Sequence, residues 1–166
     1  MGYTFEKYFF ADDGTIPNNH LPVIVYHQVT DAEDKSAWLE ERFKANDWTN
    51  NWRDIVLPYD HFHSTTHEVL GVGKGSVKLQ IGGAEGMALT VAAGDVIILP
   101  AGVGHFSLSD HKNYEIVGGY PEGKDWDLLT GTTEERKEAI SRIENLPVPE
   151  TDPVFGKGGE LLKWWD

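Results

Sequence analysis

Two short blocks of the 166-residue chain carry side chains able to bind a metal ion: HFHSTTHE, with His61, His63 and Glu68, and GDVIILPAGVGH, which ends in His105. Alternate residues of a strand point to one face, so His61 and His63 can reach a common point between two sheets. Imidazole nitrogens with one carboxylate oxygen suit a divalent transition ion such as Fe, Mn, Ni or Zn. A carboxylate in a dry β interior is costly unless a metal or a hydrogen-bonding partner offsets its desolvation, which gives Glu68 a reason to be there. A lone histidine is more often a core or surface residue without metal, but four coincident positions with turn residues between them favour the ion. His67 neighbours Glu68 and should face the other way on a strand, as a supporting or structural group. The alternative, in which His67 replaces Glu68 as ligand, stays open at this point.

These residues need a scaffold. From Trp52 to about residue 120 the chain consists of short apolar alternations broken by Gly and Asp, the pattern of a small all-β sandwich or barrel. Ile55, Leu57, Tyr59, His61 and His63 share one parity, so the ligands are expected to continue an inward-facing strand surface. Val77, Leu79 and Ile81 repeat the alternation, GGAEG makes a turn, LTV follows, and GDVIILP is a strand stopped by Pro100. Gly71, Gly73 and Gly75 around Lys74 read as a hairpin turn. Upstream, LPVIVYHQV (21–29) is a strand, and DKSAWLEERFKAN is an amphipathic helix with Leu39 and Phe43 on one face and a Thr30/Glu33 capping box ahead of it. Downstream, TTEERKEAISRIEN is a second helix with a Thr132/Glu135 capping box and apolar Ala139, Ile140 and Ile143. The tail ELLKWWD brings two tryptophans expected to pack on the domain or on a partner subunit. The expected organisation is one domain over residues 1–166: a barrel core at about 52–120, an N-terminal strand and helix at 21–47, and a C-terminal helix and tail at 132–166.

Composition excludes several function classes. Lys and Arg total 14 against 27 Asp and Glu, and the formal charge of −13 disfavours nucleic acid and anionic membranes. The absence of cysteine removes disulfides, thiolate catalysis and zinc-finger patterns. The N-terminal stretch has no basic region, and nowhere do about 18 apolar residues run together, so a soluble cytoplasmic protein is expected. GVGKGS lacks P-loop spacing, and no GxSxG marks a hydrolase nucleophile. Trp48, Trp52 and Arg53 precede a strand and read first as core or lid, with Arg53 as a carboxylate clamp a weaker reading. His20, His27 and His111 lie outside both blocks and read as surface or structural. Few basic residues fall at inward positions, favouring a neutral or metal-chelating substrate over a sugar phosphate. The apolar strand and the tryptophan tail together suggest a homodimer.

The two blocks resemble the cupin superfamily. His61, His63, Glu68 and Gly75 keep the spacing of its first motif, and Gly94, Pro100, Gly102 and His105 that of its second; the motifs span about 45 of the 166 residues. Where the second motif often ends in Asn, this chain has Ser109, which puts loop packing rather than metal binding in question. The flanks HSTTHEVLGV, PAGVGH and YPEGKDWDLL are similar to the YjlB-like small cupins. The resemblance implies an all-β, single-domain jelly-roll β-barrel with short flanking helices, and one metal held by His61, His63, Glu68 and His105 with positions open for water or substrate. It also points to a homodimer. A metal-dependent enzyme of the oxygenase or isomerase type, acting on a small organic molecule, is the expected function, with Glu68 as the catalytic proton carrier. The alternatives are a non-catalytic small-ligand binding or sensing domain and, with less support from an intact ligand set, a storage-type barrel.

Overall fold

The computed structural model describes residues 3–166, and the elements are numbered in chain order. Six strands form one antiparallel sheet: β1 (Thr4–Phe10), β2 (Asn19–His27), β3 (Trp48–Asp54), β4 (Glu68–Lys74), β7 (Val96–Leu99) and β9 (Glu115–Pro121), in the order β1-β2-β7-β4-β9-β3. A second sheet of three holds β5 (Ser76–Ile81), β6 (Met87–Ala92) and β8 (His105–Ser107), in the order β6-β5-β8. Three helices flank them: α1 (Lys35–Ala45), α2 (Thr133–Asn145) and α3 (Leu161–Trp164). The architecture is an all-β jelly roll with short flanking helices.

The apolar pattern of each strand follows from how many of its faces are covered. Between the sheets, Leu70, Val72, Ile97, Leu99 and Ile116 of the large sheet meet Val77, Leu79, Ile81 and Val91 of the small one. On the outer face of the large sheet, Ile24, Tyr26, Val69, Val96, Ile98 and Val117 are covered by Leu39 and Phe43 of α1 and by Val154, Leu161 and Trp165 of the tail. Covered on both sides, β2 and β7 are therefore continuously apolar, while the exposed strands of the small sheet alternate. Burial of Trp165 also answers half of the question posed by the tail, since its Nε1 donates to Pro22 O at 2.9 Å; Trp164 remains 42% exposed, with Lys7 Nζ over its ring.

Several local details differ from the sequence reading. Only Gly75, at φ +70, turns the β4–β5 hairpin. Gly71 and Gly73 lie within β4, where α1 approaches so closely that a Cβ at Gly71 would stand 2.9 Å from Phe43 Cζ and one at Gly73 only 1.9 Å from Ser36 Oγ. The first helix is capped by Asp34, whose Oδ1 accepts from Ala37 N at 3.1 Å, whereas Thr30 Oγ1 accepts from Ala32 N in the preceding turn. The carboxylate one residue ahead of the helix has the shorter reach to a free amide, so it takes the capping role. At α2, Glu135 Oε1 accepts from Thr132 N at 3.1 Å, and Ala139 and Ile143 pack against Ile16, Phe62 and Ala101. The strand β1 has no counterpart in the sequence reading; it pairs along β2 from Thr4↔His27 to Phe10↔Asn19 and makes β2 an interior strand.

Strand β3 carries a bulge. Thr49 pairs with Tyr120 and Trp52 with Gly118, so three steps on β3 oppose two on β9, and Asn50 takes φ 59. An extra residue reverses the pleat, so residues four apart no longer share a face. Trp48 is fully buried on the helix-covered side, and Trp52 packs against the interior between the sheets. Among the described residues, no helix is long and apolar enough to cross a membrane.

Candidate metal centre

Glu68 opens β4 and shares the inward face with Leu70 and Val72. His105 opens β8. The stretch 55–63, expected as a strand, is instead an extended loop: Val56 is buried, Tyr59 is 44% exposed, and the only pairing there is the bridge of His61 to His105 and of Phe62 to Leu129. The bridge itself positions the first histidine, with His105 N donating to His61 O at 3.0 Å. Gly102 N donates to His63 O at 2.8 Å and fixes the second. That turn needs glycine, because Gly102 has φ +92 and a Cβ would lie 2.5 Å from Asn18 O. Ser109 Oγ accepts from Lys78 N at 3.0 Å, so the position that departs from the motif still ties its loop to β5.

The three imidazoles converge, with ligand atoms of His61, His63 and His105 all within 4.8 Å of one another and all three residues buried. Each ring donates Nδ1–H to a backbone carbonyl: His61 to Tyr59 O at 3.0 Å, His105 to Val103 O at 3.1 Å, and His63 to Asp127 O. A carbonyl can only accept, so these bonds fix the tautomer and leave the three Nε2 lone pairs for the centre. Glu68 Oε2 accepts from Tyr120 OH at 2.9 Å, and Tyr120 OH accepts from Trp52 Nε1 at 2.8 Å. Indole N–H is a donor only, so the direction of this chain runs one way, from Trp52 through Tyr120 to the carboxylate.

Glu68 Oε1 is buried with no hydrogen-bond partner. It lies 3.2 Å from His105 Nε2 and 3.4 Å from His63 Nε2. Two donors at right angles around an ion, each about 2.1 Å from it, stand about 3 Å apart. An orphaned carboxylate oxygen at that separation from imidazole nitrogens has the spacing of two donors to one ion, so the residues fit the group. Electrostatics agree for His61 and Glu68, whereas in the ion's absence His63 is drawn toward an ion pair with Glu68. Burial, with His105 close by, pushes His61 down to about 3 and keeps it a neutral donor. Burial opposes charge on both His63 and Glu68, but their mutual attraction wins, raising His63 and holding Glu68 well below the usual carboxylate range.

His67, one residue ahead of β4, turns away from the centre. Its Nδ1 accepts from Ala101 N at 2.9 Å, its ring lies edge-on to Trp165 at 4.9 Å, and burial pushes it down to about 4. His20 and His111 are exposed and His27 pairs with Glu6, all away from the centre. Arg53 pairs with Glu40 at 3.2 Å on the outside and does not line the site.

A cavity of about 380 Å³ opens onto the four residues, walled by Trp52, Ile55, Leu57, Leu70, Trp126 and Leu128, with Asn50, Asn51 and Asp54 also in its lining. The loop after β9 forms part of this wall. Asp127 accepts from Ser64 N at 2.6 Å and from Ser64 Oγ, Arg142 Nε of α2 donates to Ser64 Oγ at 2.8 Å, and Trp126 lies against His63 at 5.6 Å. Sequence reasoning missed Tyr120, Trp126 and Asp127. All three fall in YPEGKDWDLL, quoted above for the family resemblance but given no role there, and Tyr120 also shares strand parity with Ile116 and Gly118.

Two antiparallel sheets around a buried three-histidine cluster define a small jelly-roll protein with a candidate metal site. The cupin profile matches residues 55–120, and the uncharacterized protein YjlB of Bacillus subtilis (strain 168) is 40% identical over 162 residues, spanning 96% of each chain. The chain belongs to the cupin superfamily, as a small cupin of the YjlB-like family. Among solved structures, acireductone dioxygenase from Bacillus anthracis, with cadmium in its active centre, is 15% identical with a TM-score of 0.41, covering 75% of this chain and 80% of that one. Procruciferin, an 11S globulin from Brassica napus, is 12% identical with a TM-score of 0.40, covering 76% of this chain and 29% of that one.

Proposed function

We propose that the protein is a metal-dependent enzyme of the oxygenase or isomerase kind, with one divalent transition ion held by His61, His63, Glu68 and His105. The observation that carries this reading is the buried, unpartnered Glu68 Oε1 beside Nε2 of His63 and His105. A bound ion would supply Lewis acidity toward a carbonyl or enol oxygen. Glu68 is the residue suited to carry a proton: Tyr120 holds Oε2, and Oε1, on leaving the ion during turnover, would take a proton from a substrate carbon or hydroxyl and return it. The apolar wall excludes water while this happens. No Lys or Arg lines the cavity, which supports a small substrate without phosphate.

A homodimer remains part of the reading, though β2 no longer supports it. The support shifts to β1, the edge of the large sheet, with Phe9 64% exposed and Trp164 and Leu162 of the tail also partly bare. Light scattering at micromolar concentration should give twice the monomer mass. For the chemistry, elemental analysis of the purified protein should find one divalent transition ion per chain. The iron-loaded form should then consume oxygen, or interconvert isomers, with small enols or diols. A protein that takes up no transition ion overturns the proposal.

A further inference from the structure

The polar groups in the cavity wall are almost all engaged with the protein. Nδ1 of the three histidines is taken by backbone carbonyls, Trp52 Nε1 by Tyr120, and the Tyr120 hydroxyl proton by Glu68. Asn51 Nδ2 donates to Trp48 O and Gly118 O, both at 3.0 Å, while its Oδ1, like Glu68 Oε1, is buried without a hydrogen-bond partner. Asn50 Nδ2 donates to Lys124 O at 3.4 Å, and Asp54 Oδ1 accepts from Ile55 N at 2.8 Å. Hydrogen-bonding capacity for a ligand is therefore concentrated at the metal end, in the single acceptor Asn51 Oδ1 and in the second oxygen of the exposed Asp54.

Two consequences follow for what can bind. A sugar would bring several hydroxyls into a wall that offers them little, and each buried unpaired hydroxyl costs about 1–3 kcal/mol. A second negative charge on the ligand would meet no Lys or Arg in the lining but two carboxylates, Asp54 and Glu68, in a chain of net charge −13. What the wall does offer is apolar surface and the indoles of Trp52 and Trp126, in a volume near the small end of ligand pockets, which run roughly 300–1,000 Å³. Four protein donors leave two positions on a six-coordinate ion.

Building on the metal reading above, we infer that the substrate is a compact chelator with an aromatic or apolar body, two adjacent oxygen donors, and no other negative charge. Recognition in this site works through chelation at one end and exclusion everywhere else. A positive charge away from the chelating oxygens is tolerated because Asp54 lies in the lining and, among the described residues, forms no salt bridge.

The test holds the chelating oxygens constant and varies the remote charge. Cobalt-loaded protein is titrated with dopamine, 4-methylcatechol and 3,4-dihydroxybenzoate, and with xylose as a polyhydroxylated probe, following the cobalt absorption spectrum. Dopamine and 4-methylcatechol should bind at least tenfold more tightly than 3,4-dihydroxybenzoate, and xylose should leave the spectrum unchanged. Asp54→Lys should narrow or invert the gap between the cationic and anionic catechols. The substrate class is overturned if the anionic probe binds as well as the neutral one, if xylose binds, or if cobalt binds and no catechol perturbs it. Failure of the metal reading has a different signature: cobalt is not retained, or it is retained equally by His61→Ala and His105→Ala.

Discussion

Replacing Tyr120 by Phe removes one oxygen and breaks two hydrogen bonds in series. Glu68 Oε2 loses its donor, and Trp52 Nε1 loses its acceptor. The first loss matters more, because a hydrogen bond to a buried charge contributes about 1.5–3 kcal/mol. Glu68 then has neither oxygen held, and the carboxylate must be ordered at the expense of metal binding. A group that orients a ligand in this way is worth roughly 10–100-fold in metal affinity, or about 1.4–2.8 kcal/mol. Tyr120→Phe should therefore bind cobalt or zinc about 10–100-fold more weakly, measured by competition against a chromophoric chelator. Trp52→Phe, which only frees the Tyr120 hydroxyl to rotate, should cost less than tenfold. Circular dichroism identifies any variant that has unfolded, and a shifted cobalt spectrum in Tyr120→Phe shows a reoriented ligand. Folded Tyr120→Phe protein with wild-type affinity and an unchanged spectrum would refute the idea that this chain positions Glu68.

Three further outcomes are expected. His105→Ala should lose metal and activity together, Glu68→Gln should lose activity more than metal, and His67→Ala should keep most of both; metal content and turnover measured side by side decide whether Glu68 or His67 is the fourth ligand. Glu160 accepts from Tyr3 OH at 2.6 Å and Trp164 Nε1 at 3.1 Å; burial alone would raise its pKa, but these bonds and Lys163 hold it below the ordinary value of 4.5. The stabilisation is present above that ordinary value and fades as pH falls through the lower folded value, so Glu160→Gln should cost about 1–2 kcal/mol in urea unfolding at pH 7 and progressively less below pH about 4. Gly73→Ala drives a Cβ to 1.9 Å from Ser36 Oγ, and the overpacking should cost about 1–3 kcal/mol, lowering Tm by several degrees.

What the sequence displayed clearly was whatever depended on residue type at fixed spacing. The two ligand blocks, the hairpin at Gly75 and the α2 cap belong to this group, because each is a local device with a single geometric solution. Strand positions were legible where both sheet faces are covered, as in VIIL of β7, since burial writes itself into consecutive residues. Parity arguments failed where the backbone leaves the regular pleat. Residues 55–63 looked like an alternating strand, yet their histidines are placed by a bridge to His105 and an amide from Gly102. Strand β1 was hidden because its exposed residues, Thr4, Glu6 and Phe9, do not share one parity, which gives no clean alternation. Asp127 was invisible for a different reason: it acts on Ser64 and on His63 from more than 60 positions away, through contacts that no local pattern encodes.

The bulge at Asn50 makes the register of β3 a determinant of the pocket. Upstream of it the strand belongs to the helix-covered face, and downstream it belongs to the cavity. Flatten the bulge without losing a residue and Trp52 would oppose Val117 instead of Gly118, turning to the helix-covered face and out of reach of Tyr120 while His61, His63, Glu68 and His105 kept their places. Two chains with the same three histidines and glutamate, but with β3 in a different register, would surround the same donors with unlike pockets. Donor identity alone is thus a poor guide for transferring a substrate from one such barrel to another; the register of a single edge strand has to match as well.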